Sequence, residues 1–223
     1  MQLAPATAPA PAPFASVLLR ACRPRQWAKN LLVLAAPAAA GALGRPLVAA
    51  ELAGAFAVLC MISSATYLIN DVRDREQDRL HPAKRLRPVA AGELAPATAV
   101  RIALALAVLG VGGAAVIDPK LALVAVGYLL LTGSYSLWLR RVFILDILTI
   151  AAGFVLRALA GGVATDIYLS RWFVIVTACC AVFLVAAKRF AELREHGAQG
   201  AGRATLRRYS SGACPAPLPI RAE

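Results

Sequence analysis

Several kinds of functional site have no counterpart in this 223-residue sequence. Its five cysteines form neither a CxxC pair nor a Cys/His arrangement at metal-ligand spacing, and they do not resemble a disulfide framework. Acidic residues number only 12 against 24 Lys and Arg, but the basic face and motifs of a nucleic-acid-binding protein are missing. Repeated halves, which would favour a transporter, are also missing.

Apolar residues, in contrast, are abundant. They make up 60% of the chain, and the mean hydropathy is +0.67, whereas soluble domains are roughly 45–50% apolar. Most of the apolar runs approach the roughly 17–25 residues that cross a bilayer. We therefore predict an all-α, polytopic transmembrane helical bundle. Six candidate spans are read at Leu31 to Leu43, Leu47 to Ile69, Val100 to Ile117, Leu121 to Leu139, Phe143 to Ala164 and Trp172 to Ala187.

The distribution of charge predicts how the chain sits in the membrane. Most of the Lys and Arg residues fall in alternate loops and in the two tails, so the positive-inside rule places both termini and the loop after the second span in the cytoplasm. A plasma-membrane location is expected. We divide the chain into a disordered Ala- and Pro-rich tail (1–16), a transmembrane domain (17–196) and a polar C-terminal tail (197–223).

An oxygen-rich segment, residues 70–78, follows the second apolar run directly. If the helix continues through it, Asn70, Asp74 and Asp78 share one face, and Asp71 lies beside them. Carboxylate and amide oxygens suit Mg²⁺, which completes its octahedron with water and phosphate. We predict Asn70, Asp71, Asp74 and Asp78 as Mg²⁺ ligands. The alternative is a solvated loop whose acids pair with neighbouring arginines.

Basic residues close to this segment could bind phosphate groups. Lys84 and Arg85 follow it in sequence and suit this role, with a simple positive-inside patch as the alternative. Arg157 lies deep in the fifth run, where an ionisable side chain indicates function by default. Lys188 and Arg189 close the sixth run, either as snorkelling side chains or as cations facing the same cavity as the acids.

Five blocks of sequence together resemble the UbiA superfamily of intramembrane prenyltransferases, over about residues 17 to 209. Members are all-helical, with about nine spans around a central cavity. The blocks are residues 23–30 (RPRQWAKN), 67–74 (YLINDVRD), 81–88 (HPAKRLRP), 157–162 (RALAGG) and 187–193 (AKRFAEL).

The resemblance is closest to a phosphoribosyl-transferring branch of this superfamily, and it implies a reaction. A 5-phosphoribosyl group passes from phosphoribosyl diphosphate to a polyprenyl (decaprenyl) phosphate and diphosphate is released, a step toward a lipid-linked arabinose donor for cell-wall arabinan. Mg²⁺ is the implied cofactor, with Asp71, Asp74 and Asp78 as catalytic residues. Carried over by position, donor-binding residues are Lys29, Tyr67, Lys84 and Arg85; acceptor-phosphate-binding residues are Arg140, Arg157, Lys188 and Arg189.

The chain departs from the family pattern in two places. Prenyl-transferring members carry a second Asp-rich motif after the sixth span, where this chain has Lys188, Arg189 and a single Glu192. This replacement favours an anionic acceptor, although an aromatic-acceptor prenyltransferase stays an alternative. About three further spans are expected in a full member, so we expect a C-terminally incomplete transmembrane domain, and an inactive membrane fragment is the remaining alternative.

Overall fold

The computed structural model describes the backbone of residues 13–137 and 143–200, and the side chains within 13–135 and 145–191. Within these ranges the chain is helical and contains no strand, which confirms the predicted all-α class. The elements are α1 (Phe14–Cys22), a first 3₁₀ helix (Pro24–Leu34), α2 (Ala35–Ala39), α3 (Pro46–Arg73), α4 (Arg75–Leu80), a second 3₁₀ helix (Lys84–Leu86), α5 (Pro96–Ile117), α6 (Pro119–Leu137), α7 (Phe143–Ala164) and α8 (Arg171–Gly200).

Four of the described helices are long and apolar enough to cross a membrane, and the chain is a multi-pass membrane protein. These four spans are Pro46–Arg73, Pro96–Ile117, Leu145–Ala164 and Arg171–Ala191. A shorter apolar helix covers Pro119–Tyr135. The first of the six predicted spans is not a continuous helix, because the 3₁₀ segment ends at Leu34, α2 ends at Ala39, and Gly41 then takes a φ of +65°.

Helix α3 is the centre of the bundle and packs against α1, α5, α6, α7 and the first 3₁₀ helix. Its Leu59 and Ile62 are almost completely buried. Gly110 of α5 allows the two backbones to approach closely, since a Cβ there would lie 2.7 Å from a side-chain carbon of Ile62. Small residues at helix contacts are typical of membrane bundles, where close packing replaces the hydrophobic effect.

The outer faces of α5 and α8 remain apolar and exposed. Leu104, Val108 and Val116 of α5 are at least 59% exposed, and Phe183 of α8 is 71% exposed. A soluble protein rarely leaves such continuous apolar surface in water. These faces are therefore suited to contact with lipid acyl chains.

Two predicted domain boundaries fall inside helices. Helix α1 begins at Phe14, within the expected tail 1–16, because Val17 and Ala21 bury an apolar face in a cluster with α3 and α5. Helix α8 continues to Gly200, past the expected boundary at 196. The remainder of the two predicted tails, residues 1–12 and 201–223, lies outside the described residues.

Candidate active site

A cavity of about 650 Å³ lies between α3, α6, α7, α8 and the first 3₁₀ helix. The described part of its wall contains six basic side chains and no Asp or Glu. The six are Arg23, Lys29, Arg87, Arg157, Lys188 and Arg189. Tyrosine, threonine and amide side chains supply further polar groups, among them Tyr67 and Asn70. Such a wall favours anionic ligands, because cations near a low-dielectric interior attract negative charge strongly.

The acidic segment lies at the end of α3, beside this cavity. The helix does not run through it unbroken: α3 ends at Arg73, Asp74 leaves the helical conformation, and α4 starts at Arg75. Backbone hydrogen bonds from Asp74 N to Asn70 O (2.9 Å) and from Asp78 N to Asp74 O (2.8 Å) span the break. Near-helical spacing is thus retained, as the sequence predicts.

Two of the predicted metal ligands are buried behind arginines. Asp71 is 1% exposed and accepts hydrogen bonds from Arg23 and from Arg87 Nη1, the latter at 3.3 Å. Asp78 is 3% exposed and accepts a 2.5 Å bond from the same Arg87 nitrogen. Arg23 and Arg87 line the cavity, whereas Asp71, Asp74 and Asp78 do not; of the predicted ligands, Asn70 lines it.

Sequence reasoning missed Arg23 and Arg87 as site residues. Both lie in the blocks that carry the family resemblance, residues 23–30 and 81–88, and that placement was the available signal. Charge alone could not identify them, because the intervening and flanking loops contain many other basic residues.

The side chains of the acidic segment, residues 70–78, suit Mg²⁺ chemically, but they do not form a complete coordination shell by themselves. One oxygen of Asp71, Oδ2, is buried without a hydrogen-bond partner, and a buried carboxylate oxygen of this kind is a suitable ligand for a hard cation. Among the described residues, no group of three His, Cys, Asp or Glu side chains is gathered to hold a metal. Mg²⁺ ordinarily takes only one or two carboxylates and completes its shell with phosphate and water.

Arg157 of α7 reaches the cavity from the middle of the bundle. It is 6% exposed and donates from Nε to Asn30 Oδ1 (2.9 Å), from Nη1 to Gly153 O (2.8 Å) and from Nη2 to the Tyr128 hydroxyl (2.5 Å). The ring of Tyr128 also lies 4.8 Å from the guanidinium carbon. All of these partners are neutral, so no carboxylate within the described part of the chain is bonded to this guanidinium.

Arg189 of α8 is buried to a similar degree but has an acidic partner. Its Nε and Nη2 lie 3.0 and 2.9 Å from Asp146 Oδ2, and the Tyr135 hydroxyl donates to Oδ1 of the same carboxylate at 2.6 Å. Asp146 and Arg157 share one predicted span, but the structure pairs Asp146 with Arg189 instead. This ion pair ties α7 to α8 at the cavity wall.

The predicted donor-binding residues divide into two groups. Lys29 and Tyr67 line the cavity, whereas Lys84 and Arg85 belong to the second 3₁₀ helix and are not part of the lining. Desolvation lowers the pKa of Lys29, and the positive charges of Lys188, Arg157 and Arg23 lower this pKa further. Arg140, predicted to bind the acceptor, lies outside the described residues.

An apolar groove of about 250 Å³ adjoins the cavity between α3, α5 and α6. It shares Thr66, Asn70 and Thr132 with the cavity wall. The rest of its lining is mostly small or aliphatic and includes Ala107 and Gly133. A charged cavity thus lies beside a mostly apolar groove, which suits a ligand with an anionic head and a hydrocarbon tail.

Sequence comparison gives this site its family context. The profile of the UbiA prenyltransferase family matches residues 31–206. The chain belongs to this family. The UbiA match includes the acidic segment and most of the cavity wall.

Curated UbiA-like relatives cover nearly all of this chain. The decaprenyl-phosphate phosphoribosyltransferase of Mycolicibacterium smegmatis is 45% identical over 210 residues, which is 92% of this chain and 66% of the relative. The protein of the same name from Mycobacterium tuberculosis is 43% identical over 208 residues, 90% of this chain and 68% of the relative. The chain therefore spans about two thirds of the length of these relatives.

A solved structure confirms the UbiA fold. A UbiA homologue from Archaeoglobus fulgidus, bound to GPP and Mg²⁺, matches with a TM-score of 0.66 at 22% sequence identity. The match covers 78% of this chain and 62% of the homologue. At this level of identity the likeness establishes the fold alone.

Proposed function

We propose that this UbiA family member transfers a 5-phosphoribosyl group from phosphoribosyl diphosphate to a polyprenyl phosphate, with decaprenyl phosphate as the favoured acceptor, and releases diphosphate. The observation that carries the proposal is the cavity, whose described wall holds six Lys and Arg and no carboxylate. Two anionic substrates repel each other, and the cations offset that repulsion when both are bound together. The names of the relatives that are 43–45% identical agree with this chemistry.

The reaction exchanges one bond at the anomeric carbon for another. The bond from that carbon to the diphosphate oxygen breaks, and the electron pair leaves with diphosphate. An oxygen of the acceptor phosphate forms the new bond. Because this phosphate is already an anion, it needs little help from a general base, and the role of the protein is to position the reactants and stabilise their charge.

The two ends of the cavity are assigned to the two substrates. Arg23 and Arg87, which bind the acidic segment, are assigned to the donor phosphates together with Lys29 and Tyr67 of the cavity wall. Lys84 and Arg85 of the second 3₁₀ helix, outside the described wall, are assigned to the same phosphates. Arg157, Lys188 and Arg189, on α7 and α8, hold the acceptor phosphate, together with Arg140.

Asn70 and Asp71, with Asp74 and Asp78, are the residues that would hold Mg²⁺. The unpaired Asp71 Oδ2 supports this assignment. When bound, the ion supplies positive charge to the departing diphosphate. Arg23 and Arg87, which now bind Asp71 and Asp78, are placed to exchange these carboxylates for phosphate oxygens.

The polyprenyl tail is assigned to the apolar groove that adjoins the cavity between α3, α5 and α6. The groove is mostly hydrocarbon, and it begins at Thr66, Asn70 and Thr132 of the cavity wall. An acceptor with its phosphate at Arg157 can extend its chain into the groove and toward the lipid-facing surface of α5.

The cellular setting follows from this chemistry and from the charge distribution. We assign the protein to the plasma membrane, with its N-terminus and acidic segment in the cytoplasm, where the positive-inside rule places them. A phosphoribosylated polyprenyl phosphate there would enter synthesis of the lipid-linked arabinose donor for cell-wall arabinan. No described feature favours an aromatic acceptor, for which the cationic end of α8 has no evident use.

The proposal is tested by transfer of radiolabelled phosphoribose to decaprenyl phosphate in membranes that contain this chain. Labelled lipid should form with Mg²⁺, disappear with a chelator, and fall at least about 100-fold for Asp74→Ala. Glu76→Ala is the matched control, because Glu76 lies in the same segment but its side chain is 75% exposed, and its described ion pairs are with Arg75 and Arg79 outside the cavity wall. A correctly inserted wild-type protein that forms no labelled lipid would contradict the proposal.

The tail assignment is tested with two matched glycine substitutions on α6. A Cβ at Gly133 or Gly127 would meet no atom within 4 Å, but only Gly133 lines the groove. Gly133→Leu should lower kcat/KM for decaprenyl phosphate by about tenfold and spare a short acceptor such as geranyl phosphate. Gly127→Leu should leave both unchanged. If Gly133→Leu and Gly127→Leu changed kcat/KM for decaprenyl phosphate to the same extent, the groove would not be the binding site of the polyprenyl tail.

A further inference from the structure

Asn30 is a buried polar residue that touches the cavity only through another side chain. It is 1% exposed, lies in the first 3₁₀ helix and is not part of the cavity wall. Its Oδ1 accepts the Nε–H of Arg157 at 2.9 Å. An amide with no exposure is costly to bury unless its hydrogen bonds are made, so its partners define what it does.

The amide of Asn30 can point in only one direction. A guanidinium has donors and no acceptor, so the oxygen must face Arg157. The nitrogen then donates to Ser63 Oγ and Cys60 Sγ, both at 3.3 Å. Ser63 directs its own hydroxyl proton to Cys60 O at 3.2 Å and is therefore free to accept from Asn30. This chain of hydrogen bonds, the Ser63–Asn30–Arg157 relay, anchors the amide of Asn30 to α3.

The backbone holds Asn30 and Arg157 in register. Gly161, one turn after Arg157, packs against Val33, one turn after Asn30, so closely that a Cβ would lie 1.7 Å from Val33 O. Any larger residue at position 161 would separate α7 from the first 3₁₀ helix. The close contact thus fixes the distance that the Asn30 to Arg157 hydrogen bond must span.

These contacts leave the guanidinium oriented but not neutralised. Asn30, Gly153 and Tyr128 each accept one N–H from a different nitrogen, and the second N–H of Nη1 and of Nη2 has no described partner. Arg157 lines the cavity, so these N–H groups are the ones that a bound anion could use. An Asp in place of Asn30 would supply the same acceptor but cancel the positive charge. A neutral acceptor is therefore the choice that both aims Arg157 and preserves its attraction for an anion.

We propose that Asn30 is a positioning residue for the acceptor phosphate, acting by fixing the Arg157 guanidinium through the Ser63–Asn30–Arg157 relay. The inference rests on the proposed function in one respect, namely that the anion at Arg157 is a polyprenyl phosphate. Asn30 itself touches no substrate. Its removal should weaken the capture of the lipid phosphate and should leave the donor site intact.

The kinetic test compares Asn30→Ala, Asn30→Asp and Ser63→Ala with the wild-type chain. We expect KM for decaprenyl phosphate to rise about tenfold or more for both Asn30 variants and by a smaller factor for Ser63→Ala. KM for phosphoribosyl diphosphate should change less than about twofold. Ser64→Ala is the matched control, because Ser64 is equally buried but bonds Trp27 and Cys22 instead of this relay.

A double-mutant cycle tests whether Asn30 acts through Arg157. Asn30→Ala should cost far less in the Arg157→Lys background than in the wild-type chain, because a lysine has no Nε–H to be aimed. Additive losses would overturn the proposal, as would a fall in kcat with both KM values unchanged. A rise in the donor KM alone would also overturn it.

A binding measurement separates this inference from the proposed reaction. Farnesyl phosphate, but not farnesol, should raise the midpoint of thermal unfolding of the purified wild-type protein, and Asn30→Ala should abolish most of that rise. If the wild type binds farnesyl phosphate in this way but transfers no phosphoribose, the proposed reaction fails and the positioning role stands. If Asn30→Ala retains the full rise, the positioning role fails.

Discussion

Two buried arginines in the wall of one cavity have opposite surroundings. Arg189 is 7% exposed and forms an ion pair with Asp146, itself hydrogen-bonded by Tyr135. Arg157 is 6% exposed, yet its described partners are an amide, a backbone carbonyl and a phenol. The first arrangement neutralises a buried charge, whereas the second only holds it in place.

The difference separates a cation whose charge is already paired within the protein from one whose described partners are all neutral. Burying an unpaired charge is expensive, so a protein retains it where something anionic repays the cost. Arg189 already has its anion, and the pair joins α7 to α8. Arg157 has no carboxylate among its described partners, which makes it the stronger candidate of the two for the acceptor phosphate. The sequence assigns both residues to that phosphate.

The largest expected effect comes from making Arg189 resemble Arg157. Asp146→Ala leaves Arg189 buried without its carboxylate, and removal of one partner of a buried pair typically costs about 3–5 kcal/mol. The free energy of unfolding in detergent should fall by about this amount. Replacing both residues, as Asp146→Leu with Arg189→Met, should recover most of it.

The exposed pair of Glu76 and Arg79 is the control for that experiment. Their charged atoms lie 3.2 Å apart, but the Glu76 side chain is 75% exposed. Such surface pairs contribute about 0–1 kcal/mol, so Glu76→Ala should change the unfolding free energy little. If Asp146→Ala cost no more than Glu76→Ala, the contrast between Arg189 and Arg157 would have no energetic basis.

The second prediction removes the uncompensated charge itself. Arg157→Met should lower kcat/KM for decaprenyl phosphate about 100-fold, because a desolvated, charge-assisted contact to phosphate is lost. Its effect on stability should be smaller than that of Asp146→Ala, since relief of a buried charge partly offsets the lost hydrogen bonds. Transfer kinetics and thermal unfolding of the same purified variant check both parts. If Arg157→Met were strongly destabilised while its folded fraction kept the kinetics of the wild-type protein, Arg157 would be a structural residue and not one that binds the acceptor phosphate.

Sequence reasoning could predict which residues carry charge and which segments are helical. The all-α class and the helices that include Leu47 to Ile69 and Val100 to Ile117 agree with the structure. Lys29, Tyr67, Arg157 and Lys188, named from the sequence as binding residues, line one cavity, and their binding roles stay a prediction. These features depend on local composition and on short motifs, which are visible in the sequence itself.

Ion-pair partners could not be predicted in the same way. Arg87 is 16 residues from Asp71 and Arg189 is 43 residues from Asp146, so both pairs depend on how helices and loops meet. Pairing of the acids with neighbouring arginines is the alternative to a metal site that the sequence offers, but the arginines that bind Asp71 and Asp78 are Arg23 and Arg87, which lie farther away in the sequence. The first predicted span differs from the structure for a related reason, because apolar composition alone does not register that the helical run ends at Ala39 and that Gly41 takes a positive φ.

The smallest expected effect concerns Lys29, a third cation in the cavity wall. Desolvation and the charges of Lys188, Arg157 and Arg23 lower its pKa, so it loses its proton at a lower pH than an ordinary lysine. A bound donor phosphate favours the charged form and raises this pKa again. Donor affinity that depends on Lys29 is therefore fully present below the pKa in the ligand-free protein, and it is lost as the pH rises through that pKa.

Lys29→Arg isolates this contribution, because an arginine stays charged throughout the accessible pH range. KM for phosphoribosyl diphosphate should rise several-fold with alkaline pH in the wild-type protein and stay nearly constant in the variant. The measurement is KM as a function of pH for both proteins, with Arg25→Lys, an exposed change in the same 3₁₀ helix and outside the cavity wall, as control. Identical pH profiles for wild type and Lys29→Arg would contradict this prediction. They would show that the charges of Lys188, Arg157 and Arg23 do not change the protonation of Lys29 in a way that affects donor binding.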